Sequence, residues 1–273
     1  MPALLALASA ATFGVADFLG GLATRKAHVV AVTLLTNIAG AFVALVLLLI
    51  VGGEWTSGAV GWGAIGGLFG LVGLVLLYSG LAAGPNKIVS PLSAVVAATV
   101  PVVAGVALGD RPDRLAILGL LLTPCAVWLL AGGEFRLDGT DRRPLYLAVG
   151  AGLGFGLFFT ALAQVPDGSG AVPLLTSRGV SVSILVVAAI IVRPPLPAAR
   201  WRRVSLAAGS FDMTANGLFL WSTRAGELAV VGALVSLYPA TTVLLAVITL
   251  GERLTRSQVV GLVLALFAAA LLS

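Results

Sequence analysis

The chain has 273 residues, of which 59% are hydrophobic and 10% charged, with a formal net charge of +5. A water-soluble domain carries roughly 25% charged side chains, so the composition excludes a soluble globule and places the chain in lipid. The basic surplus does not point to nucleic acid, because Lys and Arg sit in short gaps between apolar runs rather than along one face.

Cutting the sequence at its charged, proline-rich or glycine-rich gaps leaves ten apolar segments, and about 20 such residues span a hydrocarbon core. The first, 2–22, begins like a signal peptide with "MPALLALASA" but lacks a basic leader and stays apolar to Leu22, so a retained helix is expected. The others are 29–51, 59–83, 88–108, 115–132, 145–165, 172–192, 204–223, 228–250 and 256–272. Apolar runs without alternation predict helices rather than a barrel, since a backbone in lipid must satisfy its own hydrogen bonds. Asp113 is placed to cap the fifth segment, and Thr255 with Gln258 forms a capping-box pattern at the tenth. Cys125, the single cysteine, is expected to be a buried inert thiol. Glycines four apart, Gly63 with Gly67, Gly66 with Gly70, Gly150 with Gly154 and Gly152 with Gly156, predict close helix contacts.

Two charged islands break the apolar pattern in the same way. "LGDRPDRLAILGL" (108–120) and "LGERLTRSQVVGL" (250–262) align at an offset of 142 residues, and that offset also pairs Phe13-Gly14 with Phe155-Gly156 and Ala83-Gly84 with Ala225-Gly226. The chain therefore reads as a five-helix unit at 1–133, a short charged linker at 134–144 and a second unit at 145–273. Because five is odd, the second copy enters the membrane from the opposite side. The expected fold class is an all-α integral membrane protein of ten transmembrane helices built as two inverted five-helix repeats, an architecture that places a solute site near the midplane.

"LGERLT" (250–255), Pro239 twelve residues before Gly251, and a short terminal helix containing Gly261 resemble the end of an EamA domain of the drug/metabolite transporter superfamily. "FGVADFLGGLATR" (13–25) resembles the first helix of the same family. The resemblance implies two EamA units and a solute carrier that exports or exchanges small organic metabolites, amino acids among them, with both termini in the cytoplasm. Position 97, the repeat equivalent of Pro239, is alanine, and Pro91 and Pro101 flank it. An irregularity in the fourth helix is therefore expected elsewhere than in the ninth.

Gaps after odd-numbered segments hold twelve basic residues: Arg25, Lys26, Lys87, Arg136, Arg142, Arg143, Arg193, Arg200, Arg202, Arg203, Arg253 and Arg256. Gaps after even-numbered segments hold three, Arg111, Arg114 and Arg224. The positive-inside rule then puts the odd gaps in the cytoplasm and both termini outside it, in the cell (inner) membrane. This is opposite to what the resemblance implies.

Three ionisable groups fall inside segments: Asp17, Arg178 and Asp212. A charge at the bilayer centre costs about 2.5 to 3.5 kcal/mol on insertion scales, so such groups face a cavity or a partner. One reading has all three lining a central cavity, contacting a zwitterionic or charged solute and letting a carboxylate exchange protons. The other makes Arg178 and Asp212 a permanent ion pair joining the seventh and eighth helices. Asn216 follows Asp212 by four positions and shares its face, while Asn37 and Gln164 are weaker polar candidates. Tyr78 and Trp221 sit at nearly equivalent places in the two repeats and either stack on a solute or join the interfacial belt assigned to Trp55, Trp62, Tyr146 and Trp201.

No Walker A motif appears, so no nucleotide cofactor is expected and coupling falls to a proton or ion gradient. The lone histidine, His28, lies in a gap and argues against a metal site. Expected partners are the lipid bilayer, a small-molecule solute and a second copy of the chain, with no nucleic acid. Two other functions remain open: an intramembrane aspartyl enzyme using Asp17 and Asp212, and a membrane adaptor without flux.

Overall fold

The structure, a computed structural model, describes residues 1–83, 86–131, 142–251 and 253–273, with the side chains at 78, 80–83, 86–88 and 90–91 outside the description. Its helices run α1 Pro2–Thr24, α2 Val29–Val51, α3 Ser57–Ala83, α4 Asn86–Leu108, α5 Arg114–Leu130, α6 Arg143–Ala163, α7 Val172–Val192, α8 Ala199–Thr223, α9 Leu228–Val235, α10 Pro239–Leu250 and α11 Arg256–Leu272. Among the described residues, six stretches are long and apolar enough to cross a membrane: Pro2–Thr24, Val29–Val51, Ser57–Leu77, Arg143–Ala163, Val172–Val192 and, taken across its turn, Leu228–Leu250. Leu92–Leu108, Arg114–Leu130 and Arg256–Leu272 are shorter apolar helices.

The expected helix ends hold where a cap fixes them. Asp113 Oδ1 accepts the Ala116 N–H at 2.7 Å and starts α5. At the repeat-equivalent position, Thr255 Oγ1 accepts the Gln258 N–H at 3.2 Å, and Gln258 Oε1 accepts the Thr255 N–H at 3.0 Å, completing the capping box of α11. Of the remaining ends some hold, as both ends of α2 and α7 do, and others move. α8 starts at Ala199 rather than 204, drawing the Arg-rich gap into its first turn, where the Arg200 guanidinium sits 5.1 Å over the Trp201 ring. α6 starts at Arg143, inside the stretch expected as linker, while 134–141 lie outside the described residues.

The expected ninth segment is two helices, α9 and α10, separated by a turn at 236–238. Proline lacks an N–H and has its φ preset for a first helical turn, so Pro239 begins α10. Its counterpart α4 runs unbroken from Asn86 to Leu108 through Pro101. The two halves therefore differ in backbone continuity at the same place in the repeat.

Packing is reciprocal between the halves. α1 lies on α8 and α3 on α6; α2 lies on α8 and α3 on α7; α2 meets α7, and α5 meets α11. Exchanging the halves maps each of these pairs onto another or onto itself. Missing side chains permit the contacts: a Cβ on Gly154 would come within 2.6 Å of Gly73 Cα, and one on Gly67 would overlap the Ser177 backbone. Both glycine spacings in α3 and both in α6 face neighbouring helices in this way.

One side-chain expectation fails. Cys125 is exposed, its sulfur 3.9 Å from the Leu121 carbonyl oxygen. In a helix that is apolar all round, hydropathy does not separate a lipid-facing position from a core position. The apolar side chains of the outward faces, such as Phe42, Leu49, Leu121 and Ile191, are exposed in the same manner.

Candidate functional site

α1 and α10 meet closely at one point and diverge from it. At the meeting point Gly14 leaves no room for a side chain beside Tyr238 and Thr241, and Thr242 Oγ1 donates to the Gly14 carbonyl oxygen at 3.2 Å. Beyond it, Gly20 and Gly21 have nothing within 4 Å of where a Cβ would stand. A cleft of about 240 Å³ fills the space between the helices. Asp17, Gly21 and Arg25 line it from α1 at positions i, i+4 and i+8, and Thr242, Ala246 and Leu250 line it from α10 at the same spacing. Arg253, in the turn before α11, completes the lining.

Asp17 is therefore exposed to the cleft although it sits in the interior of an apolar helix. Phe13 lies one turn earlier on α1 and is buried. Its ring lies 6.4 Å from that of Tyr238 and 5.7 Å from that of Phe159, which in turn is 4.8 Å from Phe219. These aromatics come from both halves and make a wall of packed rings beside the meeting point of α1 and α10.

Behind α1, a polar cluster joins α2, α7 and α8. Arg178 forms an ion pair with Asp212 Oδ2 through Nη2 and donates to Asn37 Oδ1 at 2.9 Å through Nη1. Asn37 Nδ2 donates to the Thr33 carbonyl oxygen at 2.9 Å, so both ends of that amide are held. Asn216 Nδ2 donates to the Asp212 carbonyl oxygen at 2.8 Å and lies 3.3 Å from its carboxylate. Gly40 makes space for the guanidinium, since a Cβ there would come within 3.2 Å of Arg178 Nε. Among the described residues, Arg178 Nε and Asn216 Oδ1 are buried without a hydrogen-bond partner. The Arg178 side chain is 13% exposed and that of Asp212 28%, so the acid is the more accessible partner.

The structure thus brings together Asp212, Arg178 and Asn216 as the sequence suggested, adds Asn37, and sets Asp17 on the cleft side of the same region. Trp221 is apart from them. Nine residues separate it from Asp212, half a turn out of phase on α8, and its half-buried ring lies beside Gly217. The Tyr78 side chain lies outside the described residues. Gln164 caps the end of α6, away from the cluster. Sequence reasoning missed Tyr238, Thr242 and the aromatic wall; Pro239 inside an apolar run was the signal that marked the place.

The opposite end of the molecule is knitted together. Glu54 N–H donates to the Gly168 carbonyl oxygen at 3.0 Å and Ala171 N–H to that of Gly52 at 3.1 Å, joining the turns after α2 and α6. Gly52 and Gly170 adopt φ values of +71° and +50°, where a side chain would be strained and, at Gly170, would overlap Gly52. Ser222 Oγ donates to the Pro2 carbonyl oxygen at 2.7 Å, and Arg224 Nη2 to that of Gly170 at 3.2 Å.

A duplicated helical membrane protein with a half-open cleft ending at an intramembrane carboxylate is the class that this geometry defines. The chain belongs to the EamA-like transporter family, whose family model matches residues 1–132 and again 142–273. No curated protein matches it. A solved crystal structure resembles it with a TM-score of 0.72 over 97% of this chain and 95% of the other, at 18% sequence identity, which is a likeness of fold alone.

Proposed function

We propose that the protein is a secondary transporter that exports or exchanges a small organic metabolite, of the size and polarity of an amino acid, by alternating access. In this reading ten helical passes form two inverted repeats, and one bundle rocks against the other around a midplane site. The observation that carries the reading is the cleft between α1 and α10, which runs from Arg25 and Arg253 at its mouth to Asp17. Solute enters past the arginines, and a cationic group on it is drawn to the Asp17 carboxylate, with Asp212, Arg178 and Asn216 as the polar groups next in reach.

The orientation follows from charge. Arg25 and Arg253 belong to the Lys/Arg-rich gaps, so the mouth faces the cytoplasm of the cell membrane and both termini lie outside. A reporter fused after Ser273 should be active only outside the cytoplasm; activity confined to the cytoplasm reverses the assignment.

Asp212 is already paired with Arg178, which leaves it committed elsewhere than to an aspartyl dyad. A carrier is therefore favoured over an intramembrane protease. The experiment is a panel of labelled amino acids and organic amines in proteoliposomes under imposed pH and voltage gradients. Saturable flux of at least one solute is expected, reduced roughly a hundredfold in Asp17→Asn, the scale of losing a charged contact to the solute. No gradient-dependent flux across the panel, or undiminished flux in Asp17→Asn, removes the cleft from the mechanism.

A further inference from the structure

The offset of 142 residues assigns each cleft position a counterpart in the other half. Asp17 and Gly21 correspond to Phe159 and Ala163 on α6, and Thr242 and Val247 to Val100 and Gly105 on α4. Between α4 and α6, which pack together, runs the equivalent seam: Val100 faces Gly156 of α6, while Phe159 packs on Phe13 and Phe219 and Gly105 lies against Ala229 of α9. That seam is shut. Val100 fills the space left by the missing side chain of Gly156, and a Cβ on Gly152 would come within 2.6 Å of the Ser93 carbonyl oxygen.

At the end of the closed seam, the turn after α4 crosses to the other half. Asp110 Oδ2 accepts the N–H of Ala229 at 2.8 Å, and Glu227 Oε1 accepts the N–H of Arg111 at 3.0 Å. Ala229 lies in the first turn of α9 and Glu227 is that helix's N-cap residue. Each half thus gives a carboxylate to an amide of the other that its own half leaves unpaired. Gly105 lies directly beneath. Its carbonyl oxygen accepts the Asp110 N–H at 2.9 Å, and a Cβ on it would come within 2.6 Å of the Ala229 nitrogen. Both carboxylates are only half-buried, so water can replace either bond when the turn lifts, and the exchange is near balance.

We infer that the α4–α6 seam is the carrier's second half-channel, opening on the face opposite the cleft, and that Asp110 and Glu227 form the latch that holds it shut. The inference rests on the transport reading above. Opening the seam requires the α4–α5 turn to part from α9, breaking both bonds together, while the cleft between α1 and α10 closes.

The test uses Cys125→Ser protein in membrane vesicles of both orientations and a membrane-impermeant maleimide. Val100→Cys and Thr242→Cys are near-isosteric single probes at equivalent positions in the two seams. Thr242→Cys should react from the cleft face and Val100→Cys should be protected. Adding Asp110→Ala and Glu227→Ala together should speed Val100→Cys labelling from the opposite face by roughly tenfold, the scale expected for losing helix-capping bonds, and slow that of Thr242→Cys. Asp110→Asn, which keeps an acceptor oxygen, should preserve protection. If the double variant does not purify folded, each single alanine variant should give a part of the same increase. Unchanged Val100→Cys labelling in the folded latch variants overturns the inference, as does Val100→Cys reacting as fast as Thr242→Cys with the latch intact. Failure of Thr242→Cys itself to react removes the cleft, and with it the transport reading, independently of the latch.

Discussion

The seam between α1 and α10 and the seam between α4 and α6 occupy equivalent places in the two repeats, yet one is splayed and the other closed. Gly14 and Gly156 correspond and both lie in tight contact, so the inner ends are alike. One turn to either side the halves part company. Gly152 lets α4 settle onto α6 where its counterpart in the first half is Ala10. Phe159 joins the aromatic wall where its counterpart is Asp17. A ring favours a dry contact and a carboxylate favours a wet one, so a few substitutions since duplication separate a seam that seals from a seam that admits water.

The largest expected effect follows from closing the comparison by force. Gly152→Leu must drive α4 from α6 and should abolish recovery of folded protein, because overpacking costs about 1 to 3 kcal/mol even where neighbours can shift. Here the neighbours are the branched Val96 side chain and the Ser93 backbone carbonyl. Gly21→Leu, in the open seam, should leave the melting temperature in detergent unchanged; equal loss from both would mean that the seams do not differ. Arg178→Gln should come next, costing about 3 kcal/mol by leaving the Asp212 carboxylate without its buried partner. Asp212→Asn added to it should restore much of that stability in thermal melting, whereas Asp17→Asn should melt like the parent protein and lose only flux. The smallest effects concern the caps, where Asp113→Ala and Thr255→Ala should each cost about 1 kcal/mol. Denaturation that shows one far above the other would break the equivalence of α5 and α11.

Much of this was readable in the sequence for a physical reason. Composition fixed the solvent, and in lipid only helices satisfy such runs. The 142-residue offset located both halves, and Asp113 and Thr255 cap their helices because a cap is a local interaction that needs no knowledge of the fold. Arg178 and Asp212 found each other because few partners exist for a charge in an apolar helix. What stayed hidden depends on facing. The exposure of Cys125, the separation of Trp221 from Asp212 and the pairing of α1 with α10 all turn on which side of a uniformly apolar helix meets protein. Hydropathy is nearly blind to that. The early start of α8 was masked by Arg200, Arg202 and Arg203, charges that a membrane-surface turn of helix accommodates without ending.

The interruption at 236–238 makes one arm of the molecule jointed and leaves its sister, α4, stiff. With α9 tethered at its outer end through Ala229, the break before Pro239 uncouples α10 from that tether, so that α10 need not drag the whole rod. A rod without an elbow has to tilt along its full length. In the proposed cycle the two strokes are then mechanically unlike, and a machine assembled from duplicate parts would acquire unequal forward and return speeds.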